Sequence, residues 1–277
     1  KNFKLSENSD YQKYAIGLKE LWEINEENFV DGLVEHSMGW PLSDETNGGS
    51  FLYHFDKNLV SIGYVIHLNY TNPYVSPFDE FQQFKTHPSV KKVLKGGKRI
   101  SYGARAITTG GYQSVPKLYF PGGALIGCSA GFLNYPKIKG THNAMESGIL
   151  AAEAIIDNYN SNDQASDLKN YQEKYENSRI AKELKRVRNV KPYQARYGVL
   201  LGTLFSGLDM WLSTFGITMP FTLAHNKPDH KTLRKASECN EIEYPKADGE
   251  FSFDKLSSVF LSNTNHEEDQ PSHLTLK

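Results

Sequence analysis

The alternation of hydrophobic and polar residues near the start of the chain predicts a β-sheet. Strand-like patterns cover residues 14–24 and 33–39, and residues 49–56 and 59–69 alternate well enough to form a hairpin. Between the last two stretches, Asp56-Lys57-Asn58 supplies the residue types of a tight turn. We therefore expect four strands here, two of them joined as a hairpin.

A helix is predicted to follow these strands and to cover the sheet. Ser76-Pro77 is typical of a helix start, and three phenylalanines then recur on one side. The pattern breaks near His87-Pro88 and ends at Gly96-Gly97.

Residues 118–155 contain glycine-rich turns followed by a small-residue helix. The stretch 118–126 is typical of a short apolar strand, and Gly127, Gly131 and Gly140 let backbone approach a ligand where a Cβ would clash. Thr141 is predicted to cap the next helix. The inner face of that helix is predicted to contain Ala144, Gly148, Ala151, Ala152 and Ile155.

The start of this helix suits a flavin. Its unpaired N–H groups and partial positive charge would face the pyrimidine end of an isoalloxazine, which becomes negative on reduction. On the pattern alone, an ordinary strand-turn-helix crossover explains the same residues equally well.

The most apolar segment covers residues 197–221, after a polar loop predicted at 158–166 and a charged helix predicted at 167–190. A span of about 20 residues is long enough to cross a bilayer. Its residues nevertheless form two opposite helical stripes: Tyr197, Leu200, Leu201, Leu204, Leu208, Trp211, Leu212 and Phe215, against Gly202, Ser206, Asp209 and Ser213.

This two-sided pattern, next to a basic cluster, favours a helix that lies in the membrane interface with its apolar face roughly 5–10 Å deep. Burial in a soluble core is the alternative. The G-x-x-x-G spacing of Gly198 and Gly202 is interpreted as incidental.

Composition narrows the function only slightly. A formal charge of −1 argues against nucleic-acid binding. Cys128 and Cys239 can form neither a disulfide framework nor a four-thiolate site. The histidines show no metal-ligand spacing, so no metal site is predicted. No catalytic residue is assigned either, because no nucleophile-base pair or carboxylate dyad stands out, as expected where a cofactor performs the chemistry. No import signal is visible in the opening KNFKLSENSD.

Several collinear stretches resemble the electron-transfer-flavoprotein:ubiquinone oxidoreductase family. They are YAIGLKELWEI, GWPL with GGSFLYH, GGKRISYGARAITTGGYQSVPKLYFPGG, GCSAGFLNYPKIKGTHNAM and NTNHEEDQPSHLTL. Because they are spread over nearly the whole chain, chance does not account for them. We predict that the chain is a middle part of a longer member of this family.

The resemblance implies a mixed α/β fold, in which a glutathione-reductase-like FAD domain is interleaved with a sheet-plus-helix ubiquinone-binding domain. Residues 1–97 would form the ubiquinone-binding domain and residues 98–160 the C-terminal part of the FAD domain. Residues 161–222 would contain the charged and membrane-docking helices, and residues 223–277 an extended segment leading to an iron-sulfur domain. No G-x-G-x-x-G turn for the ADP half of FAD is seen, so the fragment alone should bind FAD poorly.

By the same resemblance, the full-length protein is an enzyme that passes electrons from reduced electron transfer flavoprotein through FAD to ubiquinone. A 4Fe-4S cluster, whose ligands are absent here, would take part. The expected partners are electron transfer flavoprotein, ubiquinone and the membrane surface. The expected location is the matrix side of the mitochondrial inner membrane, or a bacterial cytoplasmic membrane. A flavin-dependent reductase of isoprenoid lipids and a noncatalytic membrane-binding module remain as alternatives.

The resemblance also assigns site residues. FAD would contact Gly127, Cys128, Ser129, Gly131, Gly140, Thr141, Ala144 and Met145. Ubiquinone would lie against the backbone of Gly48 and Gly49, with Tyr14 as a weaker candidate, although a plain hairpin turn explains the two glycines equally well. Membrane docking would use Leu204, Leu208, Trp211 and Phe215.

Two positions depart from the expected patterns. Asn47 stands where the family usually has tyrosine, so a hydroxyl contact to the quinone is lost or altered. Cys128 follows Gly127 where the wider flavoprotein class has aspartate, and we interpret it as a small packed residue in preference to a redox-active thiol.

Overall fold

The fold is built on a five-stranded antiparallel sheet. A computed structural model describes residues 3–160 and 168–271. The strands are β1 (Tyr14–Glu23), β2 (Val34–Met38), β3 (Gly48–Phe55), β4 (Leu59–His67) and β5 (Lys98–Thr108). Their order in the sheet is β2-β3-β4-β1-β5. The first four strands confirm the predicted ones. The β3–β4 turn is also confirmed, since Asp56 and Asn58 adopt the positive φ values that these residue types tolerate.

Two short helices, α1 (Pro77–Phe84) and α2 (Pro88–Leu94), cover one face of this sheet. Ser76 caps α1 by accepting a hydrogen bond from the amide of Asp79. The predicted break is confirmed at His87, whose backbone is extended because a proline follows. The core between helices and sheet contains Leu18, Trp22, Leu52, Val60, Ile62, Tyr64, Ile66, Phe81, Phe84, Val90 and Leu94.

The predicted domain boundary after residue 97 falls at the start of a strand of this sheet. β5 pairs along all of β1, from Tyr14 opposite Thr108 to Glu23 opposite Lys98. Most of β5 is exposed or half-buried. Its hydrophobic pattern is therefore weak, which is why the sequence did not mark it as a strand.

The single strand predicted at 118–126 is wrong. The segment instead forms a tight two-stranded hairpin of β6 (Tyr119–Phe120) and β7 (Gly123–Ala124). Pro121-Gly122 makes the turn, and Gly122 has a φ of +79° that only glycine adopts readily.

The predicted helix after this hairpin is confirmed as α3 (Thr141–Asn160). Its buried face consists of Asn143, Ser147, Ala151 and Ala154. This stripe is displaced by about one residue from the predicted one, so that only Ala151 belongs to both. Residues 158–160 of the predicted polar loop continue α3, and residues 161–166 lie outside the described residues.

The charged helix predicted at 167–190 is two helices, α4 (Lys169–Asn177) and α5 (Arg179–Arg186). Ser178 between them has an extended backbone and caps α5 by accepting from the amide of Ala181 at 3.2 Å. The cap ends one helix and begins the next. Both helices pack with α3 around a second core that includes Phe132, Tyr171, Tyr175, Ile180 and Leu184.

Helix α6 (Val190–Thr214) folds back on itself. Gly198 has non-helical angles (φ 76°, ψ 177°) and separates a first arm, residues 190–197, from a second arm, residues 199–214. At Gly202 a Cβ would lie 2.4 Å from Gln194 Cα, so only glycine lets the arms pack this closely. Interpreting the Gly198 and Gly202 spacing as incidental was therefore wrong: one allows the reversal and the other allows the contact.

The second arm exposes its hydrophobic stripe and buries its polar one. Leu200, Leu204 and Trp211 are 74%, 67% and 59% exposed, whereas Gly202, Ser206, Asp209 and Ser213 are buried. No helix among the described residues is long and apolar enough to span a bilayer. A last helix, α7 (Lys255–Leu261), packs against β5.

Candidate functional site: an apolar cavity beside a glycine-rich turn

A cavity of about 360 Å³ lies on the face of the sheet opposite α1 and α2. Side chains alternate between the two faces of a strand, so Val65 and His67 of β4 face the cavity while Tyr64 and Ile66 enter the core. Residues 133–138 and both arms of α6 form the other walls. The lining is mainly apolar: Met38, Phe51, Val65, Ile107, Leu133, Pro136, Ile138, Val190 and Met210, with Gly48, Gly49, Ser50 and Gly207.

Gly48 and Gly49 both border this cavity, as predicted for a quinone site. They are the first residues of β3, at the entry to the β3–β4 hairpin, and they pair with Ile66 and Val65. A Cβ on Gly48 would lie 2.6 Å from Val65 O, and one on Gly49 would lie 2.5 Å from Ser37 O. Glycine is thus required by the neighbouring strands. Tyr14, by contrast, is 44% exposed and does not line the cavity.

The cavity has a polar corner at Asn47 and His67. Asn47 is buried, its carbonyl accepts from the His67 amide at 3.0 Å, and its Oδ1 has no hydrogen-bond partner among the described residues. His67 is also buried, and its ring packs edge-on against Tyr135 at 5.1 Å between centroids. Burial together with the nearby Lys191 ammonium keeps the pKa of His67 well below its usual range.

Sequence reasoning missed His67, Thr109, Tyr135 and Lys191. The histidine was considered only as a metal ligand, and the others lie on different elements that only the fold brings together. The sequence did contain a signal for Lys191. It lies between Val190 and Pro192 near the start of α6, and few acidic residues near it in sequence could pair with its charge.

The glycine-rich turn lies against the start of α3. Gly127 has a φ of +54°, donates its amide to Ser147 Oγ at 3.0 Å, and would place a Cβ 3.1 Å from Ala144 Cβ. Gly131 ends the turn in the left-handed conformation, with a φ of +85°. Thr141 is not the cap, because the Gly140 carbonyl accepts the first helical bond from Ala144 at 2.8 Å.

The cradle fits the predicted flavin. At the start of α3 the first amides lack intrahelical partners, and the buried Asn143 Oδ1 has no partner among the described residues. Ser129 and Met145 are exposed beside it. An anionic or carbonyl-bearing ring edge would accept from the free amides, and a ring N–H would donate to Asn143 Oδ1.

Cys128 ties this turn to the sheet. Thr108 Oγ1 at the end of β5 donates to Cys128 O at 2.5 Å and lies 3.3 Å from its sulfur. The thiol is half-buried and contacts the Thr108 hydroxyl. Cys128 therefore has a polar contact in addition to the packing role that the sequence predicts. Because Ile107 and Thr109 on either side of Thr108 line the cavity, the flavin cradle and the cavity are adjacent.

The second arm of α6 forms one wall of the cavity and carries the exposed stripe on its other side. Met38 and Ile138 both line the cavity and are 55% and 53% exposed, so they mark its mouth. Thr203, Gly207 and Met210 line the cavity from the second arm, whose other face carries Leu204, Leu208, Trp211 and Phe215, all exposed. Among the described residues, no three His, Cys, Asp or Glu side chains cluster to hold a metal ion.

Comparison with known proteins shows which proteins this chain is similar to. Residues 14–107 match the family model described as ETF-QO, ubiquinone-binding. That match runs from the first residue of β1 to the penultimate residue of β5. The whole chain is 53% identical to the mitochondrial electron transfer flavoprotein-ubiquinone oxidoreductase of Pongo abelii and 52% identical to the enzyme of that name from Pseudomonas aeruginosa.

The chain is thus similar along its whole length to electron transfer flavoprotein-ubiquinone oxidoreductases. It covers 46% and 50% of these two relatives, so it spans about half the length of the curated relatives it matches. Residues 249–277 match a second model of the family, described as electron transfer flavoprotein-ubiquinone oxidoreductase, 4Fe-4S. This stretch contains no cysteine.

The fold resembles a geranylgeranyl bacteriochlorophyll reductase-like protein from Thermoplasma acidophilum. The TM-score is 0.54 at 18% identity, over 71% of this chain and 46% of that one. At this identity the likeness concerns the fold, and it agrees with the mixed α/β class that the sequence predicts.

Proposed function

We propose that this chain forms the quinone-reducing part of an oxidoreductase that takes electrons from reduced electron transfer flavoprotein and passes them to ubiquinone. The observation that carries the proposal is the apolar cavity, which is bordered on one side by strands of the region matching the ubiquinone-binding family model. Apolar walls with a small polar corner suit a quinone, which has two carbonyl oxygens on a hydrophobic ring.

The polar corner would hold the quinone head. The backbone of Gly48 and Gly49 borders the cavity at the same end as Asn47. The Asn47 amide can donate to a quinone carbonyl and accept from a quinol hydroxyl, so it can serve both redox forms without titrating. This asparagine would replace the hydroxyl contact expected of tyrosine.

FAD would be held by the cradle at Gly127, Gly131 and Gly140 and by the first turn of α3. Bound there, it would supply the electrons that reduce the quinone. The chain's own contribution is to place the cradle beside the cavity through the Thr108–Cys128 contact and to exclude water with apolar walls. The 4Fe-4S cluster would be ligated by cysteines other than the two of this chain, since two thiolates are too few.

The exposed stripe of α6 would lie in the membrane interface. An isoprenoid quinone stays in hydrocarbon, so its pocket must open where the protein meets lipid. The second arm supports this proposal because it lines the cavity on one side and exposes the stripe on the other. The enzyme would then be a peripheral protein of the mitochondrial inner membrane, or of a bacterial cytoplasmic membrane.

A cavity-filling variant tests the quinone site. A Cβ at Gly207 meets no atom within 4 Å, so Gly207→Leu would extend into the cavity without disturbing the backbone. In the intact flavoenzyme, we expect the KM for a short-chain ubiquinone to rise about tenfold, which is the effect of losing one good apolar contact surface. Gly207→Ala is the graded control. An unchanged KM, or an intact enzyme that hydrogenates isoprenoid lipids and not quinone, would contradict the proposal.

The docking surface has its own test. Replacing Leu204, Leu208 and Trp211 with serine should release the intact protein from liposomes while flavin content stays constant, because these side chains are exposed and support no core. Co-sedimentation with vesicles measures the change. Unaltered membrane affinity would exclude this face as the docking surface.

A further inference from the structure

A buried lysine lies directly behind the cavity wall. Lys191 is 3% exposed, and its Nζ lies 2.6 Å from His67 Nδ1 and 2.5 Å from Thr109 Oγ1. The ammonium group is also 5.4 Å from the centroid of the Tyr135 ring. These three partners line the cavity, whereas Lys191 does not. The lysine therefore meets the cavity through their side chains.

The contact with Lys191 fixes the hydrogen on the His67 ring. An ammonium group has donors only, so Nδ1 accepts and Nε2 carries the ring hydrogen; this tautomer follows from the hydrogen-bond network. Among the described residues, Nε2 has no hydrogen-bond partner. His67 thus offers an N–H donor at the cavity, with an ammonium group behind it.

The protonation states favour transfer near neutral pH. Burial lowers the pKa of Lys191 to about 7, while Asp229 acts to raise it and Lys13 to lower it. The imidazole of His67 stays neutral because burial and the Lys191 charge depress its pKa. The lysine can therefore release a proton at neutral pH, and the neutral imidazole can transmit one.

The remaining groups around Lys191 do not compete for this role. Asp229 is paired with Lys13 at 3.0 Å. Burial lowers the pKa of His225 to about 4, with Asp10 among the charges that affect it. Burial raises the pKa of Tyr135, which keeps its proton.

We propose that Lys191 and His67 form a proton relay to the quinone oxygen that lies at the polar corner of the cavity. This inference rests on the proposed function. Reduction of a quinone to a quinol takes up two electrons and two protons, and the electrons come from the reduced flavin. The relay supplies the proton of this oxygen: the His67 Nε2–H bond breaks as the O–H bond forms, while the oxygen on the opposite side of the ring takes its proton from solvent. His67 Nδ1 takes a proton from Lys191, which is left as a neutral amine.

The pair must also regain its proton. A small cavity of about 10 Å³ borders Lys191 and is lined also by Gly110, Gly111 and Arg188. This is close to the space that one water molecule occupies, beside the amine. Once the quinol has left, Nε2 takes up a proton from water that enters the open cavity and Nδ1 returns its proton to the Lys191 amine, so both groups regain their starting forms.

The test uses the intact flavoenzyme with Lys191→Met and His67→Gln, and with Lys92→Met as a matched control. Lys92 is exposed on α2, on the opposite face of the sheet. Three quantities are measured: quinone turnover against pH in H₂O and D₂O, quinone affinity by equilibrium titration, and reduction of ferricyanide, a one-electron acceptor that takes up no proton.

We expect Lys191→Met and His67→Gln to lower quinone turnover roughly 100-fold, the usual effect of removing a general acid. The inflection near pH 7 and the solvent isotope effect should disappear with Lys191→Met. Quinone affinity of Lys191→Met and ferricyanide reduction by both variants should stay within about twofold, as should all properties of Lys92→Met. Turnover within twofold of the parent with an unchanged pH profile would overturn the relay.

Loss of quinone affinity in Lys191→Met with intact ferricyanide reduction would also overturn the relay, because the lysine would then serve binding alone. If the parent enzyme reduces ferricyanide but no quinone, the proposed function itself fails, and this result is distinct from both variant outcomes. The solvent isotope effect on the parent enzyme is a readout that needs no variant to fold.

Discussion

The two faces of the sheet each bury a lysine, but the surroundings of these lysines differ. Under α1, Lys85 is fully buried and its Nζ contacts both oxygens of Glu20, at 2.9 and 2.8 Å. Arg99 joins the same carboxylate at 3.1 Å and also contacts Ser258 of α7. On the cavity face, Lys191 contacts a histidine and a threonine, and no carboxylate of the described residues lies within ion-pair distance of it.

This difference distinguishes a lysine that stabilises the fold, Lys85, from a lysine that can transfer its proton, Lys191. Glu20 keeps the pKa of Lys85 higher, at about 8, than that of Lys191, at about 7, although burial lowers both. A buried charge without its counter-ion is expensive to maintain. A fold does not need such a group for stability, so its position behind the wall of a cavity points to function.

The largest expected effect is on the paired face. Lys85→Met would leave the buried Glu20 with Arg99 as its one charged partner and the Trp22 indole N–H as a neutral donor, and we expect the free energy of unfolding to fall by about 3–5 kcal/mol. Chemical denaturation measures it. The double variant with Glu20→Gln should lose less than the sum of the two single variants, because the charges are coupled. Strict additivity would contradict the view that these groups act as one network.

On the cavity face, removing the buried lysine is expected to increase the free energy of unfolding. Lys191→Met replaces a buried cation that has no paired carboxylate, so the free energy of unfolding should rise by about 1–4 kcal/mol at pH 6. The same denaturation experiment applies. A clear loss of stability would mean that Lys191 is a structural residue like Lys85.

The pH dependence of stability should follow the same lysine. The pKa of Lys191 is about 7 when folded and 10.5 by its ordinary value, so between these limits the unfolded chain binds more protons. Its charged form opposes folding, and the penalty is complete below pH 7 and vanishes as the pH approaches 10.5. We expect the parent to gain stability relative to Lys191→Met over this range. Parallel pH profiles would refute the assignment.

The sequence predicted the elements whose patterns are local. The hydrophobic-polar pattern predicts β1 and the β3–β4 hairpin, whose turn is predicted from its residue types. The Ser-Pro start predicts α1. The prediction failed where tertiary contacts determine the secondary structure. The edge strand β5 is held by pairing with β1, and Pro121-Gly122 turns a stretch that hydrophobicity alone would keep straight.

The site shows the same limit. Gly48 and Gly49 came from resemblance, and the structure brings them to the cavity. His67 and Lys191 are 124 residues apart in sequence, and no periodicity relates them. Only the packing of the first arm of α6 against the sheet brings the two side chains together, and the second arm closes the cavity by the reversal at Gly198.

The smallest expected effect concerns this reversal of α6, on which the cavity face depends. Gly202→Ala would force a Cβ against the first arm, 2.4 Å from Gln194 Cα, and should cost about 1–3 kcal/mol. Gly207→Ala lies in the same arm with nothing within 4 Å and should gain about 0.5–1 kcal/mol, as alanine does over glycine in a helix. Thermal unfolding of both variants compares them directly. Equal effects would mean that the arms do not pack closely. The cavity wall that contains Gln194, with Lys191 behind it, would then be flexible.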